Sequence, residues 1–143
     1  MSRQTAEDEI IGLLRAGLPA AVKVGSMPLG LDEDDVYGFP GEAAWVVYAA
    51  GASKENTMMG AHVQPETWAW AVYALSKRYR SSQERKKGAL ALLEQVVGIL
   101  AGKMVLDAPL TKGRDQIAPV PPGKGVFGYE IIFTLEQELR RIT

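Results

Sequence analysis

The sequence predicts an α+β domain in which a mostly antiparallel β-sheet packs against two α-helices. Two segments carry apolar residues at helical spacing, whereas four segments have the continuous or alternating apolar pattern of strands. Their order is helix, strand, strand, long strand, helix, long strand, which suits hairpins packed under helices. With 143 residues, of which 47% are hydrophobic and 23% charged, the chain is typical of one folded domain spanning 1–143.

The first helix is predicted from Thr5–Asp8, where a threonine cap precedes acidic residues in the first turn. Gly17 and Pro19 are expected to end this helix. The β-branched stretch 20–24 then predicts a short strand, and the glycine-rich, acidic stretch 25–42 predicts a loop. The apolar positions that define the helix are Ile10, Ile11, Leu13, Leu14 and Leu18.

The middle of the chain predicts two strands separated by an arm. Residues 43–50 (AAWVVYAA) form a continuous apolar run, which is typical of a strand buried on both faces. Residues 51–64 show no clear period and predict a mobile loop or arm. Residues 67–79 alternate, yet both alternating sets are apolar, so we expect helices on one face and another covering on the other.

A second helix and a last strand complete the prediction. Ser81 and Glu84 have the spacing of a capping box, and Gly102 stands where a C-terminal cap belongs. Residues 103–125 contain four prolines and are expected to be irregular, whereas 126–139 alternate as a long strand. The apolar stripe of the helix consists of Ala89, Leu92, Leu93, Val96, Val97 and Leu100.

Composition excludes several kinds of chemistry. The absence of cysteine excludes disulfides, thiolate metal sites and cysteine nucleophiles, and one histidine excludes sites that need two imidazoles. A net charge of −1 argues against strong attraction to nucleic acid or to anionic membranes. No apolar run is long enough to span a membrane, and Glu7–Glu9 interrupt the region where a signal peptide would be apolar. We therefore expect a soluble cytoplasmic protein without metal, cofactor or enzymatic activity.

Three motifs are weak on inspection. Gly123–Gly128 matches G-x-G-x-x-G, but prolines precede it and a strand follows, so a glycine-rich turn is the better interpretation than a phosphate site. The acidic run Asp32, Glu33, Asp34 and Asp35 lacks calcium-loop spacing, because Val36 stands where an oxygen ligand is needed. This run is expected to be a solvated carboxylate patch. His62 lies in a polar stretch without a triad partner or a nucleophile elbow, and is interpreted as an ordinary loop histidine.

Two features point towards assembly. A basic cluster near the start of the second helix could be solvated surface, a subunit contact or a DNA contact, and it includes Lys77, Arg78, Arg80, Arg85, Lys86 and Lys87. Cations at a helix N-terminus oppose the helix dipole, so an acidic partner on another subunit is one explanation. Trp68 and Trp70 share one face of a strand whose other face is also apolar, which suggests that one of these faces is buried only in an oligomer.

The whole pattern resembles the tail terminator, or tail completion, proteins of Mu-like myophages and their lambda-type relatives. The resemblance extends over nearly the whole chain, in element order and length, without an invariant chemical signature. It is carried by Ile10–Pro19, Val22–Val24, Ala44–Tyr48, the Trp68–Tyr79 strand leading into the helix with Leu90, Leu93, Val97 and Leu100, and Tyr129–Leu135.

This resemblance implies a structural role. Such proteins form a ring, commonly of six copies, that caps the tail tube, ends its polymerisation and offers a surface to head–tail connector proteins, while DNA passes through without sequence recognition. Assembly in the host cytoplasm followed by residence at the tail–neck junction of the virion is implied. The family has no catalytic residues to carry over. Strand edges or loops are expected to supply the ring contacts.

Site residues follow as hypotheses. We expect Trp68, Trp70, Arg78, Arg80 and Arg85 to meet a neighbouring subunit or the tube. The acidic run 32–35 is expected to face the lumen or a solvent rim. The alternatives are another neck, connector or tube protein of the same fold, a small cellular α+β ligand-binding module, and a small hydrolase or nucleotide-binding enzyme.

Overall fold

A computed structural model of the chain shows a five-stranded sheet with two helices against one face, which confirms the predicted α+β class. It describes residues 2–27, 36–53, 63–77, 82–120 and 125–140. In chain order the elements are α1 (Arg3–Gly17), β1 (Val22–Ser26), β2 (Glu42–Ser53), β3 (Val63–Ser76), α2 (Ser82–Leu100), β4 (Met104–Val105), β5 (Ala108–Pro109), β6 (Thr111–Ile117) and β7 (Phe127–Arg140).

The sheet has the strand order β1-β2-β3-β7-β6. Only the β1–β2 pair is parallel among the described strands, and the other neighbours are antiparallel. The centre is formed by β3 and β7, which pair along their whole length from Val63 with Arg140 to Ser76 with Phe127. A bulge between Tyr48 and Ala50 shifts the register of β2 against β3. Two 14-residue strands therefore form a ladder much longer than a typical strand pair.

The main core lies between the sheet and both helices. Its inward side chains alternate along the strands, as a half-covered sheet requires, and those of the helices fall on one stripe each. Gly17 lies close to Ile99, where the absence of a side chain lets α1 approach α2. The core residues include Ile10, Leu14, Val46, Trp70, Val72, Leu92, Val96, Leu100, Ile131, Phe133 and Leu135.

The opposite face of the sheet, called here the outer face, is covered over only part of its length. A second core of Phe39, Ala43, Trp45, Leu75 and Ala118 lies there. The stretch before β2 is fixed by polar contacts. Trp45 Nε1 donates to the Val36 carbonyl at 2.9 Å, and Lys77 Nζ donates to the Tyr37 carbonyl at 2.6 Å. The prediction of a strand buried on both faces is therefore confirmed for residues 43–46, whereas Ala49 and Ala50 are exposed.

The start of α1 differs from the prediction. Ser2, not Thr5, is the N-cap, because its Oγ accepts a hydrogen bond from the Thr5 amide at 3.1 Å while its own backbone is extended. The predicted end is confirmed, since the helix stops at Gly17 and the Leu18 amide donates to the Leu14 carbonyl. Gly102 adopts a φ of 77°, in agreement with its predicted place after α2. Ser81 lies outside the described residues.

The expectation that 103–125 is irregular is wrong for half of that stretch. Met104–Pro109 form a small hairpin and Thr111–Ile117 form the edge strand β6. The predicted arm, 51–64, includes strand residues at both of its ends, because β2 continues to Ser53 and β3 begins at Val63. The remainder, 54–62 with His62, lies outside the described residues.

Candidate assembly surfaces

Trp68 and Trp70 lie under the helices, in the core of the subunit. Their exposed fractions are 7% and 0%, and the two rings meet edge to face with centroids 6.0 Å apart. Packing against α1 and α2 accounts for the apolar area of both. Both indoles, which were predicted to line a subunit or tube interface, are thus buried inside the subunit on the face that its own helices cover.

A polar cluster fixes the first turn of α1 to the sheet. Glu66, which is 8% exposed, accepts a hydrogen bond from Trp68 Nε1 at 2.7 Å and forms an ion pair with Arg3. Arg3 Nε also donates to the Tyr48 hydroxyl at 3.0 Å, and its guanidinium lies 4.7 Å from the Trp68 ring centroid. The Tyr48 and Glu66 contacts raise the pKa of Arg3. Glu66 Oε1 thus accepts from both Arg3 and Trp68, and this polar contact joins the first turn of α1 to the sheet.

The other predicted site residues are placed only in part. The acidic run 32–35 and Arg78 and Arg80 lie outside the described residues. Arg85 belongs to the first turns of α2, but its side chain is outside the described part. The end of the glycine motif is a turn leading into β7, as predicted: Gly125 has a φ of 67° and no helix follows it.

The outer face has an uncovered half. Cross-strand rows run from Val47 through Ala71 to Ile132, and from Ala50 through Ala69 to Thr134. We call the five residues Val47, Ala50, Ala69, Ala71 and Ile132 the outer patch. Ala71 is buried, Ala50 is exposed, and the others are half-buried. The sequence predicted that something covers both faces, and within the described residues nothing covers this half.

The covered half of the outer face contains a small apolar pocket of 190 Å³, lined by Met27, Val36, Tyr37, Tyr73, Leu75, Ala118, Pro119 and Val120. Burial raises the pKa of Tyr73 to about 12, and the neighbouring Glu130 carboxylate adds to the shift. Ligand sites usually enclose about 300–1,000 Å³. The pocket is therefore small for a metabolite.

Both edges of the sheet are protected against pairing with another strand. Arg15 donates from Nη2 and Nε to the Val24 carbonyl on β1, at 3.1 and 3.3 Å. At the other edge, β6 is bulged between Lys112 and Asp115, which form a salt bridge of 3.2 Å. Charges and bulges are the usual means by which edge strands avoid addition of a further strand. The geometry thus favours contacts through other surfaces than the edges.

A groove lies between α1 and the β4–β5 hairpin. This α1 groove has a volume of 440 Å³ and is lined by Glu9, Gly12, Leu13, Ala16, Met104, Leu106 and Asp107. At the hairpin turn Leu106 and Asp107 have φ of 47° and 63°, a left-handed conformation that is unfavourable for leucine and better tolerated by aspartate. The turn is held by the Leu106 amide, which donates to Glu9 Oε2 at 3.0 Å, and by packing of Leu106 on the main core.

A second groove lies on the exposed side of α2. This α2 groove has a volume of 380 Å³ and is lined by Glu84, Lys87, Gly88 and Ala91. Leu90, which is not in the lining of this groove, is 44% exposed, and Met104 in the lining of the α1 groove is 61% exposed. None of these apolar residues was predicted from the sequence to be a contact. Leu90 was assigned to the helix pattern, and Met104 to an irregular stretch.

The described residues contain no group of three or more His, Cys, Asp or Glu side chains that could hold a metal ion. Neither described helix is long and apolar enough to cross a membrane.

Comparisons with known proteins concern the fold. No protein-family model matches the chain, and no curated protein matches it. Among solved structures, it is similar to a chain of the virion of a native gene transfer agent particle, with a TM-score of 0.51 and 14% sequence identity. The similarity covers 96% of each chain. The two chains therefore share an architecture over almost their full length.

Proposed function

We propose that the protein is a structural component of a phage-like virion, of the tail terminator type. The observation that carries this proposal is the similarity in fold to a virion chain, which extends over 96% of both molecules. The element order had led to the same class of protein from the sequence alone. The engaged carboxylate of Glu66 and the small apolar pocket give no competing indication of chemistry on a substrate.

In this role, subunits form a ring, of six copies by the resemblance, that caps the tail tube and ends its polymerisation. The same ring offers a surface to head–tail connector proteins. A net charge of −1 suits a ring through which DNA passes without being held. The partners are then other copies of the chain, the tail tube protein and the connector proteins. Assembly takes place in the host cytoplasm, and the final location is the tail–neck junction.

Part of this proposal concerns residues known from the sequence only. The acidic run 32–35 would face the lumen or a solvent rim, and Arg78, Arg80 and Arg85 would meet a neighbour or the tube. Charge reversal of Arg78 and Arg80 should then weaken ring formation or tail attachment. Intact rings and intact attachment would remove these residues from the interface.

The test is the mass of the purified protein in solution, followed by electron microscopy with and without tail tubes. A terminator should give rings, with six times the subunit mass of 15.5 kDa for a hexamer, and should bind at tube ends. Long stacks would instead indicate a tube subunit, and binding to heads alone would indicate another neck protein. A monomer that binds neither, with a metabolite in its pocket, would support the ligand-binding alternative.

A further inference from the structure

The central strand β7 continues beyond the strand that covers its side. β6 pairs with β7 only as far as Thr134, whereas β3 pairs with β7 as far as Arg140. The chain before β6 turns away from β7 at Leu110, whose amide donates to the Lys103 carbonyl at 2.8 Å. Among the described strands, none pairs with β7 on the β6 side over residues 135–140. This end of β7 is therefore an open strand edge within the described part of the chain.

The backbone groups that face the open side belong to alternate residues. In an antiparallel ladder, the N–H and C=O of one residue point to the same neighbouring strand, and those of the next residue point the opposite way. The Gly128 carbonyl accepts from the Ala118 amide at 2.9 Å, on the β6 side of β7. No bulge interrupts the pairing of β3 with β7, so the alternation continues to the end of the strand. Steps of two from Gly128 place the backbone groups of Glu136, Glu138 and Arg140 on the open side.

This end of β7 lacks the devices that protect the rest of the sheet margin. Arg15 occupies the Val24 carbonyl on β1, and a bulge with the Lys112–Asp115 salt bridge interrupts β6. The part of β3 that extends past β2 contains Pro65, which has no N–H to donate. The end of β7 has neither a bulge nor a proline. A regular edge of this kind is a template for addition of a further strand.

The charges on this edge determine which kind of strand fits it. Glu136 is exposed and forms no ion pair with a described residue. If two copies paired through their β7 ends, every antiparallel register that engages Glu136 would place a glutamate, at 136 or 138, opposite a glutamate. Like charges directly opposite each other destabilise a strand pair, whereas opposite charges stabilise it. The edge therefore disfavours a second copy of this chain and favours a strand with basic residues.

From these observations we infer that the end of β7 binds an extended segment of another protein by strand addition. The N–H and C=O groups of Glu136 and Glu138 pair with the backbone of the segment, and basic residues at alternate positions of the segment stand opposite the two glutamates. The inference rests on the proposed function, which supplies neighbours other than copies of this chain.

Amide hydrogen exchange tests whether the edge is open. In the free protein, the amides of Glu136 and Glu138 should exchange at least about tenfold faster than the amide of Gln137, which faces β3. Nuclear magnetic resonance resolves the individual amides in a protein of 15.5 kDa. Equal rates at the three amides would show that β7 does not present an open edge, and would overturn the inference.

Binding is tested with a synthetic peptide of alternating lysine and valine residues, added to the purified protein. We expect saturable binding that slows exchange of the Glu136 and Glu138 amides. Glu136→Pro removes one N–H from the open side and leaves the ladder with β3 in place, so the peptide should bind about tenfold more weakly. Glu136→Gln keeps the N–H and removes the charge, so the loss should be about two- to fivefold.

The matched control is a peptide of the same sequence in which every amide is N-methylated, because it keeps the charges and lacks the backbone donors. Circular dichroism confirms that both variants are folded. Equal affinity of the wild-type protein for the two peptides would show that charge alone binds the peptide, and would overturn strand addition. Absence of binding, or equal binding to folded wild-type and Glu136→Pro protein, would do the same.

The outcomes also separate the inference from the proposed function. Wild-type rings that cap tubes, together with a peptide that does not bind at Glu136, would refute strand addition and leave the terminator role intact. Protein that forms no ring and caps no tube, but binds the peptide with the expected losses for both variants, would refute the terminator role and support the binding edge.

Discussion

The buried carboxylate of Glu66 shows how one residue connects distant parts of the chain. It accepts from Trp68 two positions away on β3 and pairs with Arg3 at the start of α1. Burial of a carboxylate is tolerated only when hydrogen bonds and charge compensate for lost hydration. The first turn of α1 is therefore tied to the sheet by a polar contact at the margin of an apolar core.

Replacing Glu66 should destabilise the subunit. Glu66→Ala leaves the Trp68 N–H without its acceptor, so the free energy of unfolding should fall by about 1–3 kcal/mol. Arg3→Ala should also lower the free energy of unfolding, because it leaves the buried Glu66 carboxylate without its cation. Urea denaturation measures both, and Glu94→Ala on the exposed side of α2 is the control. Equal losses of unfolding free energy for Glu66→Ala and Glu94→Ala would contradict a stabilising contact between Glu66 and α1.

Replacement by alanine should have opposite effects on the free energy of unfolding at two glycines. At Gly128 an added Cβ would lie 2.6 Å from the Ala74 carbonyl oxygen and closer still to the Leu75 side chain, so Gly128→Ala should destabilise by about 1–3 kcal/mol. Gly12 has no atom within 4 Å of that position and lies inside α1. Gly12→Ala should stabilise by about 0.5–1 kcal/mol, because alanine favours the helix. Thermal unfolding compares them, and two shifts of the same sign would contradict the packing described.

Tyr73 should make stability fall at high pH. Its pKa is raised from 10.0 to about 12 in the folded protein, so between these values the unfolded chain loses the phenolic proton while the folded one keeps it. The stabilising effect is complete below pH 10 and is lost as pH rises towards 12. Unfolding free energies across this window should decline less steeply for Tyr73→Phe than for wild type. Parallel curves would show that Tyr73 titrates normally.

At the scale of elements, the sequence predicted those helices and strands that bury a regular apolar pattern. Both helices and the long strands had such patterns, and β7 was predicted to within one residue at each end. The edge strand β6 (TKGRDQI) is exposed at nearly every position, so no alternation marks it. Its pairing with β7 is a tertiary effect that local sequence does not encode.

The candidate contacts were harder to predict than the fold for a related reason. Trp68 and Trp70 were assigned to an interface because both faces of their strand are apolar and the helices cover only one of them. The sequence does not tell which face the helices cover. Met104 and Leu106 lie in a hairpin whose positive φ values fall on leucine and aspartate, where no Asn-Gly signal announces a turn. The exposed Leu90 at the margin of a regular helical stripe was a signal that could have been noticed.

The edge of β1 should pair with strands of other molecules when Arg15 is replaced. Arg15→Met keeps the apolar stem but frees the Val24 carbonyl, so the outer edge of the sheet can accept another strand. Light scattering at increasing protein concentration should show larger, heterogeneous species, while Arg15→Lys should stay closer to wild type. Unchanged scattering for Arg15→Met would mean that the short strand is protected by other means.

At the scale of the whole molecule, the subunit has one fully covered sheet face and one that is half open. The helices complete the core on the inner side, whereas the outer patch of Val47, Ala50, Ala69, Ala71 and Ile132 has no cover among the described residues. Under the proposed function, this patch is available for contact with a different partner, such as the tail tube, while other surfaces join copies of the chain.

A charge on the outer patch should separate these two roles. Ala69→Arg projects from a half-buried position on the outer face, so the subunit should still fold and form rings, with unfolding free energy changed by about 1 kcal/mol or less. Binding to tube ends, counted by electron microscopy, should fall. Gln95→Arg, on the exposed side of α2, is the charge-matched control. Full capping by the Ala69 variant would exclude the patch from the tube contact.

The ladder of β3 and β7 also brings the two extremities of the described chain together. Arg3 contacts Glu66, and Arg140 pairs with Val63, so both extremities meet the same strand only three positions apart. A tag or gold label fused beyond either one would mark a single pole of the subunit. In a cyclic ring, all such labels would lie at one rim, and microscopy would then show the polarity of the particle directly.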